Sequence, residues 1–455
     1  MARKIAIALA CLCMVLISTC AAFADQEEFT VYIGGNKMTA SEDGAVVSYY
    51  VNGAGGAPGT VSSTEPSGWN AKFWYDTSEK ALMLEMKDLD LKGKGIYAEN
   101  HVTLVITGEN KLSSLGLDQF SAIYKHGIYA VKGLVISDKS TGTLVIDVAD
   151  AGRACYGIYS AEDIVINGGT LIVRAGKATV DETKGIYSLK KLKINGGSVE
   201  AYGGTAVMDF SVGVGAYEGI DILGGKVTSV GGAGPYSVGL CCDKDLNIGG
   251  DAVVYAKSGE GDVRIYSYGT FVAGDLRIGN RAHFTSIAGT LNDESVTGKE
   301  KRCFGIYLGK TVEASDDLQY SGGSDVLWIT GGTVIAKSMD DGGYRSRAVV
   351  FYDVDKMGFS DAGQPNDKWY QWKISEDDAM TRSMDAAYPD AGKWESATGY
   401  FQVEPVVSGA GGVIDEAPNT GDDGSGVIVV IMMIALTMMG TVDVGRKGTN
   451  NTWPF

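Results

Sequence analysis

The sequence predicts an all-β fold: a right-handed, single-stranded parallel β-helix of about nine coils of roughly 28 residues, capped at both ends. Three observations predict it. The phrase Gly-Ile-Tyr occurs at Gly95-Ile96-Tyr97, Gly127-Ile128-Tyr129, Gly157-Ile158-Tyr159, Gly185-Ile186-Tyr187 and Gly305-Ile306-Tyr307, the first four copies starting 32, 30 and 28 residues apart. A second phrase, Ile166-Asn167-Gly168-Gly169, returns as Ile194-Asn195-Gly196-Gly197 and Ile222-Leu223-Gly224-Gly225, both steps being 28 residues. Between the phrases, apolar and polar residues alternate with period two, and no segment of ten or more residues carries a helical period.

A fixed period of this size means stacked units. Without helical periodicity, leucine-rich, ankyrin and other helix-containing repeats are excluded. A propeller blade needs about 40–50 residues and four strands. One β-helix coil per unit fits instead. In the clearest unit, Gly185 to Gly203, Leu192 and Ile194 alternate around Lys191, Lys193 and Asn195. Gly196-Gly197 turns the chain, and Val199 and Ala201 alternate around Ser198, Glu200 and Tyr202. Each coil therefore holds three short strands with glycine-rich corners.

Strand alternation sends Ile and Tyr of the phrase to opposite faces. Ile96, Ile128, Ile158, Ile186 and Ile306 are expected inside, and Tyr97, Tyr129, Tyr159 and Tyr187 outside as a ladder. The glycine before each Ile permits either a positive-φ corner or close passage of the neighbouring coil.

The organisation along the chain follows. Residues 1–24 read as a signal peptide for signal peptidase: Arg3 and Lys4, an apolar Ile5 to Ile17, and the small-x-small site Ala22-Phe23-Ala24. Residues 25–90 form an N-terminal cap, with a hairpin from Lys72-Phe73-Trp74-Tyr75 to Ala81 through Met86. Residues 91–350 are the repeat array, about nine coils, or ~43 Å of stack at ~4.8 Å per coil. Asn292 to Arg302 is a polar insertion expected to protrude. Residues 351–408 lose the repeat and hold Trp369, Trp372 and Trp394, as a C-terminal cap would. Residues 409–421 are a spacer with a sorting motif, and 422–455 an apolar anchor with a basic tail.

Composition narrows function. Gly is 64 of 455 residues and Pro only 8, which suits tight turns between short strands. The formal charge of −17 becomes −19 when Arg3 and Lys4 leave with the signal. Such a surface excludes nucleic acid and anionic lipid as partners, and suits divalent cations or neutral glycans. Cys155, Cys241, Cys242 and Cys303 remain after processing; Cys155 and Cys303 share one repeat position, coils apart, and give no disulfide framework. They read as buried small side chains.

The C-terminal segment resembles the Leu-Pro-x-Thr-Gly cell-wall sorting signal of Gram-positive surface proteins, with Ala417 in place of Leu before Pro418, Asn419, Thr420 and Gly421. The apolar run Val427 to Val442 and the pair Arg446 and Lys447 follow it. The resemblance implies that sortase cuts after Thr420 and joins it to peptidoglycan. Retention by a C-terminal membrane helix is the alternative. Both place the body outside the cell.

The array, over roughly 70–350, resembles a family of secreted Firmicute carbohydrate-binding β-helix proteins, related in architecture to pectate lyases. The resemblance rests on His101-Val102-Thr103-Leu104-Val105-Ile106-Thr107-Gly108-Glu109-Asn110 as an opening rung, then on the Gly-Ile-Tyr and Asn-Gly-Gly rungs. It implies a non-catalytic surface protein that binds plant-type or acidic polysaccharide, with Ca²⁺ as a partner.

Tyr97, Tyr129, Tyr159 and Tyr187 are the candidate glycan platform, because exposed rings stack on sugar faces; packing between strands is the competing role. Asp181, Glu182, Asp243 and Asp245 are the candidate Ca²⁺ ligands, and a solvated acidic surface is the competing role. A structural or host-contact adhesin remains the alternative function. A lyase or hydrolase is the third: Arg174, Arg264 and Arg277 could neutralise a uronate, but no Arg-Lys-Asp set recurs at one rung spacing, and no catalytic residue is assigned.

Overall fold

The computed structural model describes residues 28–54, 57–113, 123–259, 263–279, 281–291, 302–309, 327–329, 332–338, 346–350, 370–375 and 400–405. The segments expected to be a signal peptide, a sorting motif and an apolar anchor, with 292–301 and most of 351–408, lie outside them.

The chain is an all-β parallel β-solenoid. Ile158, Ile186 and Val214 are paired equivalents 28 residues apart. Each turn gives one strand to each of three sheets. In one turn, Thr183–Ser188 joins the first sheet, Lys191–Ile194 the second and Ser198–Tyr202 the third. Six successive turns from Tyr124 to Ile287 carry this plan, and strands of the same sheets continue it on either side.

Other pairings flank the parallel stack. Glu28–Ile33 runs antiparallel to Ile96–Ala98 and to Asn36–Ser41. The expected hairpin is present, Ala71–Asp76 antiparallel to Ala81–Lys87, and the latter runs parallel to Val102–Thr107. At the other end Tyr400–Pro405 lies antiparallel to Thr333–Lys337.

The isoleucines go where alternation sends them. Ile96, Ile128, Ile158, Ile186 and Ile306 are all at 1% exposure or less. Leu144, Leu171, Val199, Val227 and Val254 face them from the third sheet, and Leu134, Ile164, Leu192 and Ile220 from the second, all buried.

The two roles open to glycine divide between the corners. At the Gly-Ile-Tyr corner the reason is close passage. A Cβ on Gly157 would meet Val173 Cγ1 at 2.0 Å and the Gly185 carbonyl oxygen at 2.5 Å. At the second corner the reason is conformation: Gly169, Gly197 and Gly225 have φ of +74°, +82° and +77°. A third glycine row stacks where the chain returns to the first sheet, and a Cβ on Gly204 would meet the Gly176 oxygen at 1.8 Å.

Inside this corner a row of small polar side chains replaces hydrocarbon. Thr183 and Ser211 both donate to the Gly204 carbonyl, at 3.0 and 2.6 Å, and Ser267 donates to Gly289 at 2.8 Å. Cys155 and Cys303 occupy the same row as buried thiols outside any disulfide, and Cys303 reaches the Gly289 oxygen at 3.0 Å. Buried carbonyls that face no strand are thereby satisfied. Nearby, Ser286 donates to Thr270, the residue that stands in the isoleucine row, at 2.8 Å.

Close passage makes a falsifiable demand. Gly157→Ala is expected to cost about 1–3 kcal/mol by overpacking. Gly168→Ala, whose Cβ would come no nearer than 3.1 Å to the Ser137 oxygen, should cost much less. Denaturant midpoints of the two variants compare them; equal midpoints would remove the argument.

Candidate functional site

The first sheet carries two rows of side chains on its outer face. One row is Tyr97, Tyr129, Tyr159 and Tyr187, then Gly215 and Cys241. The other is His126, Tyr156 and Lys184, then Val212 and Val238. Ring contacts show that they share a face: His126 lies 5.1 Å from Tyr129, Tyr156 lies 5.1 Å from Tyr159, and Lys184 Nζ sits 3.4 Å from the Tyr187 ring centroid.

The second row escapes a strict reading of alternation. Counting back by twos from Tyr159 puts Gly157 outside and Tyr156 inside. In the structure a Cβ on Gly157 would point into the core, so the residue before it faces outward. His126, Tyr156 and Lys184 each precede the glycine of a Gly-Ile-Tyr phrase, which is the signal that could have found them.

The tyrosine ladder exists, but its geometry differs from that of a platform. Tyr97 and Tyr129 stack at 5.5 Å with 9° between planes, and Tyr129 and Tyr159 at 5.2 Å with 17°. Rings stacked along the coil axis spend their faces on each other. Edges and hydroxyls are what point outward. Tyr97, Tyr129 and Tyr159 are half-buried, while Tyr187 is only 6% exposed, so the expected exposure fails there. The cause is the next rung: Gly215 offers no ring, and the Tyr187 ring lies over it, 2.9 Å from where a Cβ would stand. Further along, Phe271 and Tyr307 resume the row but are buried. Burial pushes the phenols of Tyr97 and Tyr159 up to about 12, so they remain donors.

Where the ladder ends, charge gathers. Lys184 is 4% exposed, and its Nζ lies 2.8 Å from Glu182 Oε2. The Tyr156 hydroxyl donates to Glu182 Oε1 at 2.7 Å. Asp209 and Asp243 lie within electrostatic reach of both. Burial opposes the charge on Glu182, yet the Lys184 ammonium and the two hydrogen bonds hold its carboxyl below the usual range. Burial raises Asp209 and Asp243, Glu182 adds to both shifts, and Lys184 opposes them. Burial likewise opposes the Lys184 charge, but Glu182 outweighs it and the ammonium is held.

His126 is the other perturbed group. Desolvation lowers it to about 4, so the imidazole is neutral at physiological pH. Its ring stacks on Tyr156 at 5.1 Å and 15°, and its Nδ1 is buried with no hydrogen-bond partner among the described residues.

The four candidate calcium ligands separate. Glu182 and Asp243 come together beside Lys184. Asp181 instead pairs with Arg153 at 2.7 Å, and Asp245 with Arg277 at 2.9 Å. Among the described residues no group of three or more His, Cys, Asp or Glu side chains could hold a metal ion. Calcium wants about six to eight oxygens, whereas Asp181, Glu182 and Asp245 are engaged by guanidinium or ammonium groups. The donor set does not fit a resident Ca²⁺. Arg174 pairs with Asp147 on the third sheet and Arg277 lies on the second, so neither reaches the outer face of the first. The Arg264 side chain lies outside the described residues.

No family model matches the chain. No curated protein and no solved structure matches it either.

The charge cluster fixes two pH-dependent outcomes. Lys184→Met leaves the carboxylates uncompensated and is expected to cost about 3–5 kcal/mol near neutrality. Acid should narrow that loss as the carboxylates protonate. Asp243 has a raised folded pKa, so its favourable contribution is present in acid and is lost as pH rises through that value. Asp243→Asn should therefore raise the thermal midpoint at pH 7, with the gain shrinking toward the ordinary aspartate range, about 3.9. Melting curves across pH check both; a gain that grows in acid contradicts the assignment.

Proposed function

We propose that this protein is a non-catalytic polysaccharide-binding protein of the Gram-positive cell surface, and that the outer face of the first sheet is its binding face. The observation that carries the reading is the run of half-buried Tyr97, Tyr129 and Tyr159, which continues into Tyr156, Glu182 and Lys184. Coils repeat at ~4.8 Å, close to the advance of one pyranose unit in an extended chain, so successive rungs meet successive sugars. Contact is through tyrosine edges and hydroxyls rather than ring faces.

Export by the signal peptide and sortase attachment through Thr420 to peptidoglycan complete the proposal. We read the coil as right-handed and the antiparallel strands at its two ends as caps. Calcium enters as a bridge brought with an acidic glycan, not as a resident ion. The adhesin is the second reading, favoured by burial of Tyr187 and Tyr307, which withdraws those rungs from a ligand.

Titration of the full-length chain against a polysaccharide panel, with Ca²⁺ and with chelator, tests the reading. Binding is expected, and Tyr129→Ala with Tyr159→Ala should weaken it by about tenfold through lost hydroxyl and edge contacts. No binding under either condition sinks the proposal. Release of cleavage products would restore the enzyme.

A further inference from the structure

We propose that the corner between the second and third sheets holds a second binding site, a hollow that takes one neutral sugar ring. It stands apart from the outer face of the first sheet and does not depend on it.

The hollow comes from a break in a row. At this corner the stacked positions are Asn167, Asn195, Leu223, Gly249 and Gly279. Asn195 Nδ2 donates to Asn167 Oδ1 at 2.7 Å, so the first two side chains engage each other. Leu223 ends the amide pair, and the next two coils carry no side chain in the row. A cavity of about 290 Å³ opens over them. That is near the lower bound of small-ligand pockets, roughly 300–1,000 Å³, and suits a short ligand. The same bareness explains why Leu223 is 41% exposed: the coil after it offers nothing to cover it.

The walls differ in chemistry. Ile248 and Ile278 send their side chains into the core, so they and the two glycines present backbone to the hollow. The N–H groups of Gly249 and Gly279 donate to the Ile222 and Ile248 oxygens of the preceding coils at 2.8 and 2.9 Å. The floor is therefore flat with these donors used, and Leu223 closes one end with hydrocarbon. Asn247 and Arg277 form the polar side. Both are held in place by other coils. Asn247 Nδ2 donates to Asp221 Oδ1 at 2.6 Å, and Arg277 pairs with Asp245 at 2.9 Å and also with Asp275.

These contacts leave capacity over. The Asn247 amide oxygen can accept, and a guanidinium has five N–H donors. A flat floor and a hydrocarbon end beside fixed donors and an acceptor match a sugar ring. Its C–H face packs, while each hydroxyl both gives and takes a hydrogen bond. Charge selects the kind of sugar. Arg277 is already shared between two carboxylates, so no unmatched cation on this side awaits a uronate.

Ligand-detected NMR on the full-length chain tests the site. The probes are methyl glucoside, methyl galactoside, glucuronic acid, galacturonic acid and cyclohexanemethanol. At least one neutral glycoside should bind at about 1–10 mM, and its matching uronic acid about tenfold more weakly or worse. Gly249→Asn and Gly279→Asn put the side chain of the earlier rungs into the hollow, and each should weaken that glycoside by about tenfold or more. Leu223→Asn removes the hydrocarbon end and should weaken it by about fivefold. Melting curves show which variants keep the fold. If the glycine variants do not fold, Leu223→Asn and the ranking of probes on the unmodified chain decide. No binding of either neutral glycoside overturns the inference. So does a uronic acid or cyclohexanemethanol that binds as tightly as the glycoside, since the hollow would then read charge or an apolar ring alone. Unchanged affinity in folded Gly249→Asn and Gly279→Asn also overturns it, because the sugar would be held elsewhere. None of these results bears on the first-sheet face, which the polysaccharide panel tests separately.

Discussion

The spacing between coils is set where backbone meets backbone. At Gly157 and Gly204 one turn lies so close to the next that a methyl group has no room. Everything else in the stack inherits this constraint. Ile158 can meet Ile186, and Tyr159 can meet Tyr187, because the coils between them are held at strand spacing and in register. A side chain in either glycine row would part the coils locally and loosen both the core inside and the rings outside.

That spacing also decides what the outer face can offer. Rings repeated at strand separation must stack on one another, so a ladder of tyrosines is first a structural element and only then a surface. The repetition is interrupted by Gly215 in one row and by Lys184 in the other, and Glu182, Asp209 and Asp243 collect beside Lys184. Asp209 and Asp243 remain there although burial disfavours their charge.

The fold was legible because its two signals are local. Period two places Ile and Leu residues inside, and the glycine phrases mark the corners. The choice between conformation and close approach at each glycine was not legible, since it depends on the neighbouring coil. The same is true of the site. His126, Tyr156 and Lys184 sit one residue beyond a glycine that breaks alternation, and counting by twos places them in the core. Tyr187 reads identically to Tyr129 in sequence, yet it is buried because Gly215 lies in the coil after it. Asp181 and Asp245 are candidates by residue type and place in the chain, whereas partners from other coils, Arg153 and Arg277, decide their state.

The hydroxyls inside the stack bear on a different problem. Turns built from similar apolar rungs can slip along the strand direction, each side chain finding an almost equivalent apolar partner two residues away. Thr183 meets Ser211 of the next coil only when the two strands are in register. A strand slipped along its neighbour would bury one hydroxyl without its mate, which is far more costly than exchanging one isoleucine for another. The polar row therefore works as a key cut into a repetitive interior, holding each turn to its register while the chain folds.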